Sequence, residues 1–359
     1  MSAYFWTILI ATAFSLAANV CNKQYPSRNM KRSAPTRLFL GLMIMTLVFT
    51  AGLRYYVGTD FGAYYNGLEI YGGNLSKSVR ELDEPALPIL ATIIGWFTDD
   101  GLYFVFACSF ITINLILGTT VKHTDAFIFA CFLFIFTGIW HGTFNGVRQY
   151  LAAAIVFSAH RLIMDRKFIK YMLVVFLAFC VHKSAVIMTI PYFILRNRIS
   201  FKNVLLLMLG TFILSANYDT VFSFIGLLKE ESMSISDQAY YSNSVSILRV
   251  MVACAPPVLC LFLYAQHKPD KEQTFYINSL IMNGAAMLAT ANSTYLARLG
   301  IYTSMYVPLA LSELLSFKNK RMEFFVKAVI VVLYFVFWYI EVSGSGNLNS
   351  FKWIWERKG

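Results

Sequence analysis

Apolar runs of roughly 15 to 20 residues recur along most of this chain, separated by short polar loops. A water-soluble core has no room for so many, whereas a bilayer accepts them as helices whose backbone N–H and C=O groups bond to one another. The pattern specifies an all-α, polytopic helical membrane protein of about 12 transmembrane helices. The expected spans are 4–20, 38–56, 101–120, 126–140, 147–163, 168–181, 184–196, 202–216, 247–266, 274–291, 295–316 and 324–341. The segment 86–97 is too short to cross and is expected to be a re-entrant or interfacial helix. No internal repeat or low-complexity stretch divides the chain. Residues 1–359 read as one transmembrane domain containing two longer outer loops, 57–100 and 217–246.

Charge sets the expected orientation. Every second loop is basic: these loops carry 19 of the 30 Lys and Arg residues, and the opposite sides carry 13 of the 19 acids. Placing the basic loops in the cytoplasm puts both termini outside. The net charge of +11 is then a topological signal and does not imply nucleic acid. The first apolar run has a basic stretch after it and none before it, the reverse of a cleaved signal peptide, so it reads as a retained span. The six cysteines lie in or beside apolar segments without a CxxC or Cys/His pattern. They read as small packing residues, with no disulfide expected. No HExxH or similar pattern occurs, so no metal and no cofactor are expected.

Against this rule, Arg54, Arg148, Arg249 and Arg298 sit on the charge-poor sides, each at or near a helix end. Topology does not call for them there. A single interfacial Arg is commonly a snorkelling side chain. Four suggest an anionic ligand, because the planar guanidinium fork matches phosphate oxygens. Arg148 has polar company in His141-Gly-Thr-Phe-Asn145-Gly-Val-Arg148-Gln149. Free backbone N–H groups at a helix start add to such an anion site.

For proton transfer the candidates are His182, at the turn of a short hairpin, and the outer carboxylates Asp60, Glu84 and Asp237. A half-buried imidazole suits a general base toward a hydroxyl, and a capping or packing role is the competing reading. Asp60 lies between Gly58 and Gly62, which let the backbone turn sharply. Tyr64, Tyr65, Tyr240 and Tyr241 suit stacking on sugar faces, although an interfacial aromatic belt explains tyrosines equally well. The tail from Ser343 to Trp355 is expected outside, where it covers the site or anchors at the interface.

Several of these residues form an ordered series: Arg54-x3-Gly58-Thr-Asp60-x3-Tyr64, then Glu84-Pro85, Asn145-x2-Arg148-Gln149-x-Leu-Ala, Leu177-Ala-x3-His182-Lys-Ser-Ala, and Tyr295-x2-Arg298. The series resembles the EpsG family of Wzy-type polysaccharide polymerases over residues 50 to 305. The resemblance implies a GT-C-like glycosyltransferase of the bacterial plasma (inner) membrane. Its partners would be undecaprenyl-diphosphate-linked oligosaccharides, membrane lipid and a chain-length regulator protein, without nucleotide sugar or metal. On this reading Arg54, Arg148, Arg249 and Arg298 hold the diphosphate, and His182 or Asp60 acts as base. Tyr64, Glu84, His141, Asn145, Gln149 and Tyr295 meet the glycan. The products in view are O-antigen, capsule or exopolysaccharide.

Two other readings remain open at this point. An O-antigen ligase would use the same lipid-linked donor. A flippase or transporter would place polar groups near mid-span, where Asn114, Asn278 and Asn283 are the candidates and none is charged.

Overall fold

A computed structural model describes residues 1–24, 32–71, 84–197, 210, 244–264 and 268–357. Among them the regular elements are helical, and one isolated antiparallel bridge pairs Arg54 with Trp353. The chain forms two compact units, residues 1–189 with 315–359, and residues 190–314.

The first unit begins with α1 (Ser2–Gln24), α2 (Ala34–Gly52), α3 (Phe61–Tyr71), α4 (Ala86–Gly95) and α5 (Leu102–His123). It continues through α6 (Phe127–Phe136), α7 (Ile139–Asn145), α8 (Val147–Ser158), α9 (His160–Met164) and α10 (Phe168–Phe179) to a 3-10 segment, Lys183–Thr189. The second unit holds α11 (Pro191–Ile194), α12 (Ile247–Leu263), α13 (Lys271–Ala289), α14 (Thr294–Ala297), α15 (Gly300–Ser304) and α16 (Val307–Leu314). The chain returns to the first unit with α17 (Lys320–Gly344) and a 3-10 turn, Ile354–Glu356.

Among the described residues, α1, α2, α5 and α17 are long and apolar enough to cross a membrane, and α6 with α7 makes a fifth candidate bent by 42°. The count of about twelve is not confirmed: several expected spans are helices of 10–17 residues or broken runs, and span 202–216 lies largely outside the described residues. Gly138, with φ +85, bends the 126–140 run; only glycine adopts this conformation without strain. The 295–316 run is cut into α14, α15 and α16, and 184–196 begins as a 3-10 segment. Hydropathy records how apolar a stretch is but not where its backbone turns. The expected short helix at 86–97 does appear, as the ten residues of α4. Most of span 202–216 and of loop 217–246, including Asp237, Tyr240 and Tyr241, lies outside the described residues.

In the first unit α1 packs on α2, α2 on α5, and α5 on α8, while α6 meets α1 and α17. Buried Ala11, Ser15 and Ala18 let α1 approach closely, as small residues do between membrane helices. The Thr7 and Thr50 hydroxyls meet at 2.8 Å. At one end of this unit Arg32 pairs with Asp125 and donates to the Val121 and Thr124 carbonyls, tying the start of α2 to the end of α5.

The opposite end carries the chain terminus and the tail. Tyr4 Oη donates to Leu348 O at 2.8 Å. The backbone N–H groups of Tyr55, Gly58 and Ile354 donate to Lys352, Asn347 and Leu53 respectively. The tail thus straps the loop that follows α2, and the bond to Leu53 O satisfies a carbonyl that the end of α2 leaves open.

In the second unit α12 packs on α13, which also meets α15 and α16. A capping box of Asp270 and Gln273 starts α13. Asn278 donates to Leu195 O and Asn197 O, and Asn283 accepts from Thr303 at 3.0 Å. These two mid-span amides, candidates for a transport path, are engaged in joining helices.

Candidate functional site

The strapped end of the first unit holds a cavity of about 450 Å³. Its polar wall is Tyr64, Glu84, Arg148 and Lys183, and its apolar wall includes Ile70, Leu87, Pro88 and Phe104. Three separate parts of the chain supply the charged groups: the residue pair before α4, the first turn of α8, and the turn after α10.

Glu84 joins them. Its Oε2 accepts from Arg148 Nη1 at 2.6 Å. Its Oε1 accepts from His182 Nδ1 at 2.6 Å and from the Lys183 backbone N–H at 2.9 Å. The Glu84 side chain is 15% exposed, whereas that of Arg148 is 52% exposed, so the arginine stands at the open side of the pair. Burial pushes the Glu84 carboxyl up, but the hydrogen bonds from His182 and Lys183 and the charges of His182 and Arg148 outweigh it. The carboxyl ends below its usual range and is ionised at neutral pH. His182 is not among the lining residues; its side chain, 29% exposed, stands beside Glu84 with Nδ1 on that carboxylate.

Local structure fixes these positions. Ala86 N–H donates to Cys180 O at 3.0 Å, binding the start of α4 to the end of α10 two residues before His182. Arg148 is the second residue of α8, and its backbone N–H points at Tyr64 Oη, 3.4 Å away. Burial raises the Tyr64 hydroxyl to about 12, with Arg148 opposing and Asp60 adding to the rise; the group stays protonated. Thr59 N–H donates to Asn145 Oδ1 at 2.9 Å, and the Thr59 hydroxyl donates to Asp60 Oδ1 at 3.0 Å. Gly58 permits this approach: its φ is +92, and a Cβ there would lie 2.5 Å from Phe144 O. Gln149 is buried and donates to Ser184 Oγ at 3.5 Å.

Two candidates lie elsewhere than expected. Arg54 is wholly enclosed. Its Nε donates to Val57 O at 3.0 Å, its Nη1 donates to Ala51 O and Ser109 Oγ, and its guanidinium lies 4.7 Å from the Phe144 ring centre. The side chain folds back on carbonyls at its own helix end and is not one of the residues lining the cavity. His141, expected at the glycan, is buried among Tyr4, Trp140 and Phe144. Its Nδ1 accepts from Trp338 Nε1 at 3.0 Å. This is a packing histidine in a helix interface.

Arg249, Arg298 and Tyr295 belong to the second unit. Arg249 is exposed in the first turn of α12, and Arg298 is exposed in the turn after α14. Both lie toward the end of that unit where Val245 N–H donates to Ala291 O. Lys183 and the apolar wall were not among the expected site residues. The neighbour of His182 at a hairpin turn was a usable signal for Lys183, while nothing in the spacing marks Leu87 or Phe104.

Fold and site together define an integral membrane protein with a charged cavity at one end of a helical unit. The chain belongs to the EpsG family, which it matches over residues 37–354, a family of Wzy-type and exopolysaccharide polymerases. No curated protein and no solved structure matches it.

Proposed function

We propose that this chain is a Wzy-type polymerase that joins undecaprenyl-diphosphate-linked oligosaccharide repeat units at the outer face of a bacterial plasma membrane. One observation carries the reading: a half-exposed guanidinium and an imidazole held by one carboxylate beside a cavity that is cationic on one wall and apolar on another. The cations Arg148 and Lys183 suit a diphosphate, and Ile70, Leu87, Pro88 and Phe104 suit the first isoprene units of its carrier.

In this mechanism the growing chain is the donor. His182 takes the proton from the acceptor hydroxyl as that oxygen bonds to the anomeric carbon. The bond from this carbon to the phosphate oxygen breaks, and its electron pair leaves with the lipid diphosphate. Arg148 stabilises the developing charge in a partly water-excluded site, an effect worth roughly 3 kcal/mol for one well-placed donor. A single direct displacement inverts the anomeric centre.

The test is the glycan profile of cells lacking this gene, complemented with wild type or with Arg148→Ala. A single repeat unit in place of a ladder, restored by wild type only, supports the reading. A ladder that persists without the gene rejects polymerisation. Accumulation of long lipid-linked chains would assign the reaction to ligation.

A further inference from the structure

Glu84 makes more bonds within the site than any catalytic contact would require. Both of its oxygens are engaged, one by Arg148 and the other by His182 and the Lys183 backbone. An ionised carboxylate only accepts, so the hydrogen in the 2.6 Å contact with His182 resides on Nδ1. A neutral imidazole carries one N–H, so its lone pair is then on Nε2. No described residue hydrogen-bonds to that second nitrogen. The arrangement is also fixed through the backbone, because Ala86 N–H holds Cys180 O at 3.0 Å.

We infer that Glu84 is a positioning residue that locks His182 as the Nδ1–H tautomer, makes Nε2 its basic atom, and fixes the Arg148 guanidinium relative to that ring. The task differs from the glycan contact expected of Glu84. It rests on the polymerase reading only for the step that Nε2 then performs. In that step the acceptor's proton moves to Nε2. The resulting imidazolium keeps its Nδ1–H on Glu84, whose negative charge balances the new positive one. The same carboxylate prevents Arg148 from swinging away when no donor is bound.

The experiment is ring-nitrogen NMR of the full chain in lipid nanodiscs with 15N-labelled histidine, with His182→Asn identifying the signals of His182. In the neutral ring, wild type should show a protonated Nδ1 and a bare Nε2. Glu84→Ala should shift His182 toward the Nε2–H form, which a free imidazole side chain prefers. Glu84→Gln should keep the Nδ1–H form, since its amide oxygen still accepts. In a polymerisation assay Glu84→Ala should lower kcat about 100-fold, the scale of general-base assistance, and Glu84→Gln should recover part of it. A wild-type ring protonated on Nε2 overturns the inference, and so does a tautomer that Glu84→Ala leaves unchanged. The tautomer readout does not depend on the reaction. If the Nδ1–H form is found while Arg148→Ala still makes a full ladder, the inference stands and the polymerase reading falls.

Discussion

Asn145 Oδ1 accepts the Thr59 backbone N–H at 2.9 Å, joining the loop after α2 to the turn that launches Arg148. The bond spans 86 positions of sequence and sits three residues before the guanidinium. Removing it with Asn145→Ala should cost only about 0.5–1.5 kcal/mol of stability, because Thr59 is exposed and water can replace the acceptor. Arg148 would lose the support that sets the direction of its helix start. The expected outcome is a protein with near-normal thermal stability and a shortened glycan ladder. Asn145→Asp keeps the acceptor and should restore ladder length. Equal ladders from all three proteins would show that the loop does not position Arg148.

Arg148 presents Nη1 to Glu84, and its side chain as a whole is half exposed. A lysine at this position keeps the charge but offers a compact point in place of a planar fork. Arg148→Lys should therefore retain some polymerisation, with donor KM raised about tenfold, equivalent to roughly 1.4 kcal/mol of lost binding. Donor-titration kinetics on the purified protein would check this. Wild-type kinetics for the lysine variant would mean that charge alone suffices and bidentate contact plays no part.

Arg54 should behave in the opposite way. It is enclosed, donates to two carbonyls and a hydroxyl, and is not one of the residues lining the cavity. Arg54→Met strips those acceptors of their donor, and a buried acceptor left unsatisfied costs about 1–3 kcal/mol. Protein level in the membrane and thermal stability should both fall, whereas Arg148→Ala, at a half-exposed side chain, should leave the protein level unchanged and cost less stability. A stable but inactive Arg54→Met protein would return Arg54 to the substrate.

The contrast between these arginines marks where sequence reasoning reaches its limit. Both stand near helix ends on charge-poor sides, and that pattern is the same whether a guanidinium faces a ligand or folds onto its own helix end. Only the course of residues 51 to 57 separates the cases. His141 is a similar example: polar neighbours in sequence suggested a site, but the ring turns inward to Trp338, nearly 200 positions away. Glu84, Arg148, His182 and Tyr64 could be singled out from the sequence because each lies in an expected outer loop or at a helix end on the charge-poor sides. Their union on one carboxylate was not legible, since it depends on how α4, α8 and α10 pack. The helical class followed from hydropathy alone, while the number of spans depended on bends such as that at Gly138.

The carboxyl of Glu84 also makes a prediction about acid. Its folded value lies below the usual one because its bonds to His182 and Lys183 and the nearby charges overcome burial. A depressed value means that the unfolded chain binds the proton more tightly than the folded one. The resulting stability is complete above the unfolded value of about 4.3 and is lost as pH falls through the lower, folded value. Glu84→Gln keeps the shape but removes the charge, and should cost about 1 kcal/mol at neutral pH, less than a full charge-assisted bond because the amide still accepts. The gap in melting temperature between wild type and Glu84→Gln should narrow as pH falls below about 4. Measuring both proteins in the same lipid and buffer series cancels the contribution of the other acids. A gap that still widens below about 4 would mean that Glu84 holds its proton in the folded state. In that case it would donate a hydrogen bond, and the assignment of the Nδ1 proton on His182 would have to be reversed.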